Sequence, residues 1–215
     1  QNFRYKKRCK LMENYDSLRI LFIRHAETNY DNWEGRDPSD GELTPFGEEQ
    51  CNILGEKLKN EKIDAFISSS LLRAFKTCVG VCKAQKNNPV INICPEIIEC
   101  GCTPGYFGCS EEYLNKYYKN TKMLKNLFDT KEYNFGCEKI EDNNLRAQKI
   151  IDYIKENYKC GQTVAVFSHH GMLEYLIPTA LGIKTRDFFF ALDNISVTEV
   201  DICEDGKAVL RCVNS

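Results

Sequence analysis

The chain has 215 residues, a length that suits one domain, or one with a modest insertion, and lets about 70% of the unfolded surface be buried. Its 29 lysine and arginine residues against 31 aspartate and glutamate residues give a net charge of −2, which argues against nucleic acid as a partner. No apolar run approaches the roughly 18 residues of a transmembrane helix, so we expect no membrane partner either.

The chain begins with a polar, basic stretch that is unlike a signal peptide, because no apolar run follows it. We expect an N-terminal extension over residues 1–17 and one domain over residues 18–215. Residues 18–23 are almost all apolar, which predicts a strand buried on both faces. After a polar loop, Thr44 and Pro45 are typical of the N-cap and first position of a helix.

The middle of the chain continues to alternate between predicted strands and predicted helices. Residues 63–68 predict a second strand, followed by a helix that Ser70 caps, and residues 90–94 predict a third strand. The stretch from about 101 to 140 does not alternate between predicted strands and helices, and it is rich in tyrosine and lysine. We therefore interpret it as a cap insertion. Its lysines and tyrosines form either an ordinary solvated surface or a rim that selects anionic or aromatic leaving groups.

The rest of the chain returns to regular elements. Helices are predicted over residues 141–157 and 171–181, the second one kinked or shortened by Pro178, with a buried strand at 163–167 between them. The tail, residues 195–213, predicts a β-hairpin or a pair of antiparallel strands. We therefore expect an α/β fold, a three-layer α/β/α sandwich with a mostly parallel central sheet and a small cap insertion.

The 12 cysteines include no C-x-x-C pair and none at zinc-ligand spacing from a histidine. A chain of this size is stable without disulfides, so we expect mostly reduced thiols in a cytoplasmic protein. A local disulfide or a metal remains an alternative for one cluster: Cys94, Cys100, Cys102 and Cys109.

All 3 histidines directly follow predicted strands. Arg24 and His25 come after the first strand, and His169 and His170 come after the strand at 163–167. Arg73 lies in the first turn of the helix that follows the second strand. Because sites in open α/β sheets form beyond the carboxyl ends of the strands, we expect these side chains to meet in one crevice.

Two histidines and two arginines suit phosphoryl transfer. Guanidinium groups bind phosphate oxygens bidentately, and a neutral imidazole can attack phosphorus and hold the phosphoryl group covalently. A second, protonated imidazole can stabilise charge on the phosphoryl oxygens. The leaving alkoxide needs a proton, and the sequence offers Glu96 and Glu99 as the acid.

Five segments, in order, resemble the motifs of the histidine phosphatase superfamily, which includes cofactor-dependent phosphoglycerate mutases and many small-molecule phosphatases. They are R-H-A-E-T at 24–28, D-G-E-L-T at 40–44 with Gly47 and Gln50, S-S-S-L-L-R-A-F-K-T at 68–77, I-I-E at 97–99, and V-F-S-H-H-G at 166–171. Residues 194–200 are similar to the family's last strand, and the resemblance spans about 18–213. The Asn194-Ile195-Ser196 glycosylation sequon is interpreted as a chance match.

The resemblance implies roles by position. His25 would be the phosphorylated nucleophile and His169 the second histidine of the pocket, while Arg24 and Arg73 would bind the phosphate. Glu99 would be the proton donor. The family chemistry implies no metal and no cofactor.

Three positions depart from the family pattern. Ala26 replaces a glycine, which is tolerable if its φ is negative. The phosphate-binding asparagine of the family aligns with Asp31, so either Asn32 takes its place or the contact is missing. His170 also replaces a glycine, and we expect it at the pocket rim or packed outward.

The sequence therefore predicts a metal-independent phosphomonoesterase that acts on a small phosphorylated substrate. A phosphoglycerate mutase is the first alternative, although the E-R-R-Y-G-x-L segment of mutases does not follow Glu99. A regulatory protein that binds a phospholigand with little catalysis is the second. Because Cys94, Cys100 and Cys102 flank Glu99, we also hypothesise that their oxidation state affects the site.

Overall fold

The computed structural model describes residues 16–29, 37, 40–85, 87–124, 127, 138–183 and 189–215. Most of the expected N-terminal extension and part of the expected cap lie outside these residues, as do Asp31 and Asn32. None of the helices within them is long and apolar enough to cross a membrane.

Seven strands form the central sheet. In chain order the strands of the described residues are β1 (Ser17–Arg24), β2 (Thr28–Asn29), β3 (Glu42–Leu43), β4 (Ala65–Ser69), β5 (Ile91–Cys94), β6 (Thr121–Met123), β7 (Thr163–Ser168), β8 (Val197–Cys203) and β9 (Ala208–Cys212). The sheet order is β6-β5-β4-β7-β1-β8-β9, and β2 and β3 form a separate small ribbon. Pairing is parallel from β6 to β1 and antiparallel from β1 to β9.

Helices cover both faces of this sheet. They are α1 (Pro45–Leu58), α2 (Leu72–Ala84), α3 (Glu111–Leu114), α4 (Ile140–Asn157) and α5 (His170–Ala180). Alternate residues of β1 point to opposite sides: Ile20 and Phe22 pack with α4 and α5, whereas Leu21 and Ile23 pack with α1 and α2. The expected three-layer α/β/α architecture with a mostly parallel sheet is confirmed.

Two glycines let α1 and α2 pack closely. A Cβ on Gly55 would lie 2.8 Å from the carbonyl oxygen of Gly80, and a Cβ on Gly80 would lie 2.8 Å from Cys51. Both distances are below ordinary contact, so a larger residue would push the helices apart. Thr44 begins α1 as expected, since its hydroxyl accepts the N–H of Gly47 at 2.9 Å.

Some elements differ from the sequence prediction. Ser70 is not the N-cap of α2, which is Leu71, because the Ser70 hydroxyl donates to the carbonyl of Phe107 instead. Within the stretch expected to be a cap, residues 121–123 form β6 at the edge of the main sheet. Pro178 lies inside α5 without ending it, and α5 begins at His170.

The cysteines in the described part of the chain carry free thiols, and there are ten of them. They include Cys94, Cys100, Cys102 and Cys109, so the alternative of a local disulfide is wrong for these four. No group of three or more histidine, cysteine, aspartate or glutamate side chains in the described ranges could hold a metal. Cys9 and Cys137 lie outside those ranges.

Candidate active site

The sheet order brings the predicted strand ends together. β7 lies between β4 and β1, and the last residue of β1, Arg24, pairs with Ser168 at the end of β7. The next residue after each strand is therefore a neighbour across the sheet edge. The rings of His25 and His169 lie 5.1 Å apart between centroids at an angle of 52°, and both are buried.

His25 is held as a neutral imidazole. Its Nδ1 lies 2.7 Å from the carbonyl oxygen of Ala26, and because a carbonyl only accepts, Nδ1 carries the proton. Nε2 then has a free lone pair, which accepts the Nε–H of Arg73 at 3.3 Å. Burial, followed by the charge of Arg73, lowers the pKa of His25 well below its ordinary value. A lone pair that could act as a nucleophile is thus present at neutral pH.

His169 faces the same pocket with one nitrogen unsatisfied. Its Nε2 lies 2.9 Å from the hydroxyl of Ser69, while Nδ1 is buried and has no hydrogen-bond partner among the described residues. Burial and the charge of Arg73 lower the pKa of His169 well below its ordinary value. His169 is therefore neutral in this structure, and the protonated second imidazole expected from the sequence would require a nearby anion.

Both arginines are anchored beside the histidines. Arg24 donates from Nη1 to the carbonyl of Leu192 at 2.6 Å, and its buried Nε has no partner in the described part of the chain. Arg73 is 2% exposed and donates from Nη1 to the main-chain carbonyl of Asp40. Two guanidinium groups and the unsatisfied nitrogens of Arg24 and His169 fit a phosphate group, which supplies oxygen acceptors and negative charge.

The carboxylate of Glu99 contacts the first turn of α5, the helix that follows His169. Its carboxylate accepts the N–H groups of Gly171 at 3.2 Å, Met172 at 3.0 Å and Cys100 at 2.8 Å. A Cβ at position 171 would come within 2.6 Å of Oε1 of Glu99, so only glycine leaves room for the carboxylate there. The fold thus brings Glu99 beside the second histidine.

Glu96, the other acid that the sequence offered, is bound elsewhere. It is 3% exposed, and its carboxylate accepts the N–H of Leu127 at 2.8 Å and the thiol of Cys94 at 3.3 Å. Cys94 and Leu127 pack with the core beneath α4 and α5. Of the two acids, the geometry favours Glu99.

The departures from the family pattern have simple local explanations. Ala26 has no positive φ, and its N–H donates to the hydroxyl of Thr77 at 3.0 Å, so the extra methyl group causes no backbone strain. His170 is the half-buried first residue of α5. It lies close enough to His25 to contribute to the lowered pKa of that imidazole. Asp31 and Asn32 lie outside the described residues.

A turn that was not predicted from the sequence holds the Arg24–His25 pair. Asn194 donates its side-chain N–H to the carbonyl of His25 at 2.8 Å, and the N–H of Ile195 donates to the carbonyl of Arg24 at 3.1 Å. Ile195 has a φ of 56°, which is strained for a β-branched residue. The signal in the sequence was the Asn-Ile-Ser segment, interpreted there as a chance sequon.

Comparison with known proteins decides the family. The profile of the histidine phosphatase superfamily (branch 1) matches residues 20–215. The chain belongs to this superfamily. It is 27% identical to phosphoserine phosphatase 1 of Hydrogenobacter thermophilus over 199 residues, which cover 90% of this chain and 91% of that protein. The resemblance inferred from the five motifs is confirmed.

Solved structures show the same fold. A phosphoserine phosphatase of Entamoeba histolytica, solved with 3-phosphoglyceric acid, has a TM-score of 0.61 and 25% identity, covering 92% of this histidine phosphatase superfamily member and 97% of that chain. A mycobacterial glucosyl-3-phosphoglycerate phosphatase has a TM-score of 0.64 and 16% identity, with coverages of 93% and 99%. The second likeness supports the fold alone.

Proposed function

We propose that this protein is a metal-independent phosphomonoesterase that transfers the phosphoryl group of a small substrate to His25 and then to water. The observation that carries the proposal is the pair of His25 and Arg73. A buried, neutral imidazole whose lone pair touches a phosphate-binding guanidinium group suits nucleophilic attack on a phosphate dianion. Family membership and phosphatase-named relatives support the same reaction.

In the first step, Nε2 of His25 attacks phosphorus and the bond to the leaving oxygen breaks. Glu99, in its protonated form, gives its proton to that oxygen. The leaving group therefore departs as an alcohol. Arg24 and Arg73 balance the charge on the phosphoryl oxygens. His169 takes up a proton from solvent when the anion binds, because the negative charge raises its affinity for a proton, and it releases that proton when phosphate leaves.

In the second step, water attacks the phosphohistidine. Glu99, now a carboxylate, takes a proton from that water, the phosphorus–nitrogen bond breaks, and inorganic phosphate leaves. His25 recovers its lone pair and Glu99 its proton, so the cycle closes with no added cofactor. Asn32 or Asp31 and the half-buried His170 remain proposed contacts to the substrate at the rim.

Phosphoserine is the first substrate to test, because relatives from Hydrogenobacter and Entamoeba carry its name. The net charge of −2 supports a small phosphorylated molecule rather than a nucleic acid or a membrane as partner. A cytoplasmic location is supported by the free thiols of the ten described cysteines, since disulfides form mainly in oxidising compartments.

The test is hydrolysis of p-nitrophenyl phosphate, phosphoserine and other phosphometabolites in the presence of EDTA. Turnover should be lost in His25→Ala while the protein still unfolds cooperatively on heating. Rapid acid quenching should destroy the protein-bound phosphate of wild type, whereas alkaline quenching should preserve it. Covalent phosphate on His25→Ala would overturn the role of His25. Bisphosphate-dependent exchange between 2- and 3-phosphoglycerate would identify a mutase instead.

A further inference from the structure

Asp40 is a buried carboxylate to which the proposed reaction gives no role. It is 1% exposed and lies in the turn just before β3. Its main-chain carbonyl accepts an Nη1–H of Arg73. Its carboxylate oxygen Oδ1 accepts the N–H of Leu72, the first residue of α2. One residue therefore holds both the guanidinium group of Arg73 and the start of the helix that carries it.

The second carboxylate oxygen faces residues 101–110, which directly precede α3 and which we call the cap segment. Oδ2 of Asp40 accepts the thiol of Cys109 at 2.8 Å and the hydroxyl of Tyr106 at 3.1 Å. The cap segment is further attached to the strand end by Cys109, whose N–H donates to the carbonyl of Ser70 at 2.9 Å. Asp40 thus connects the cap segment to Arg73.

The groups that contact the carboxylate of Asp40 balance its negative charge. Burial raises the pKa of Asp40, and the Cys109 thiol, the Leu72 N–H and the charge of Arg73 oppose that rise. Burial and the negative charge of Asp40 raise the pKa of Tyr106, so its hydroxyl stays a hydrogen-bond donor. A carboxylate whose charge is balanced by fixed partners instead of water keeps those partners in place.

We propose that Asp40 is a positioning residue that aims Arg73 at the phosphate and couples that arginine to the cap segment through Tyr106 and Cys109. The inference rests on the proposed function, in which Arg73 binds the transferred phosphoryl group. The main-chain carbonyl of Asp40 anchors Nη1 of Arg73, and this anchor leaves the Nε of Arg73 directed at His25. The carboxylate of Asp40 acts on Arg73 indirectly, because its bonds to Leu72 and to the cap segment hold that carbonyl in place. Without the anchor, the long side chain would spread over other rotamers and lose that alignment.

The first test compares Asp40→Asn with a matched control, Asp201→Asn. Asp201 is also a buried carboxylate, 6% exposed and paired with Arg211 at 2.6 Å, but it lies beside Arg19 at the far end of β1 from the site. Asp40→Asn should raise KM and weaken competitive inhibition by inorganic phosphate about 10- to 100-fold, the scale of loss expected from a misplaced binding group. Asp201→Asn should change both less than about twofold.

A double-mutant cycle separates positioning from general damage. If Asp40 acts through Arg73, then Asp40→Asn should cost almost nothing further in an Arg73→Ala background. The full, additive loss in that background would overturn the inference. Tyr106→Phe and Cys109→Ala keep the carboxylate and remove one donor each, so they decide the question if Asp40→Asn does not fold. Each should lower kcat/KM in wild type and have no effect without Arg73.

The two proposals fail in different ways. If wild type hydrolyses phosphomonoesters and Asp40→Asn behaves like Asp201→Asn, only the role of Asp40 is wrong. If wild type hydrolyses none, the proposed function is wrong. Calorimetric binding of orthovanadate then still tests Asp40: weaker binding by Asp40→Asn alone supports its role, and equal binding by both variants overturns it.

Discussion

Arg73 donates its Nε–H to Nε2 of His25 across 3.3 Å, so the proposed phosphate-binding residue and the proposed nucleophile share a hydrogen bond. In the proposed reaction, Nε2 bonds to phosphorus, and its lone pair is then no longer available to accept a hydrogen bond. The N–H of Arg73 must then turn to a phosphoryl oxygen, where charge has just developed. The hydrogen bond that orients the attacking nitrogen is thereby replaced by one that stabilises the product of the attack.

The buried histidines should make the protein less stable in mild acid. Burial and Arg73 lower the pKa of His25 and His169 in the folded state below the ordinary value of 6.5. The unfolded chain therefore binds more protons as the pH falls through 6.5, and stability decreases. The slope reaches about 1.4 kcal/mol per pH unit for each histidine. Above about pH 7.5 both states are neutral and this contribution vanishes.

Urea unfolding at pH 7.5 and 5.5 measures this effect. The free energy of unfolding should fall in wild type, and His25→Asn should lose about half of the fall because one of the two buried imidazoles is gone. An identical fall in wild type and His25→Asn would contradict the prediction.

Glu99→Gln should discriminate between leaving groups. Phosphoserine leaves as an alkoxide that needs a proton, whereas p-nitrophenolate leaves readily without one. We expect kcat/KM to fall about 100-fold for the first and less than about tenfold for the second. Glu96→Gln is the matched control, because Glu96 is bound to Leu127 and Cys94. Equal losses for both substrates in Glu99→Gln would remove Glu99 from the role of acid.

Asn194→Ala should weaken catalysis more than binding. The variant loses the hydrogen bond to the main-chain carbonyl of His25, so the backbone that carries the proposed nucleophile is held less firmly. We expect kcat to fall about tenfold with little change in KM. Asn92→Ala removes a comparable bond, from its side chain on β5 to the carbonyl of Phe66 on β4 at 3.2 Å. A similar fall in both variants would mean that Asn194 acts only through stability.

Activity should be the same with and without a reductant, contrary to the hypothesis that the cysteines near Glu99 control the site. Burial raises the pKa of Cys100 to about 12 and that of Cys94 well above its ordinary value. The reactive thiolate is therefore scarce at neutral pH. Activity measured after mild peroxide treatment, with and without dithiothreitol, checks this. A reversible loss that Cys100→Ser prevents would restore the original hypothesis.

The strands that carry the site could be predicted because their signal is local. Residues 18–23 and 163–167 are apolar on both faces, and the polar residues that follow had to lie at one sheet edge. β6 was not predicted from the sequence. It is a three-residue edge strand with no fully buried residue, so its sequence has no apolar pattern. Helix α2 begins one residue later than predicted, because the Ser70 hydroxyl donates to the carbonyl of Phe107, a partner 37 residues away.

The supporting residues of the site were harder to identify. Asp40 and Asn194 make hydrogen bonds to segments remote in the chain. An isolated aspartate or asparagine before a strand is an ordinary turn residue, so the sequence does not reveal these bonds. Motif resemblance included both positions but assigned them no task. Only the packed structure shows which main-chain groups they reach.

The central position of β1 also governs how the chain reaches its active form. This strand is paired along its length with β7 and β8, whose residues follow it by well over a hundred positions. During synthesis, β1 leaves the ribosome long before either neighbour exists, and its apolar faces stay uncovered for that time. Such distant pairings slow folding, so enzymatic activity should return last when the denatured chain is refolded.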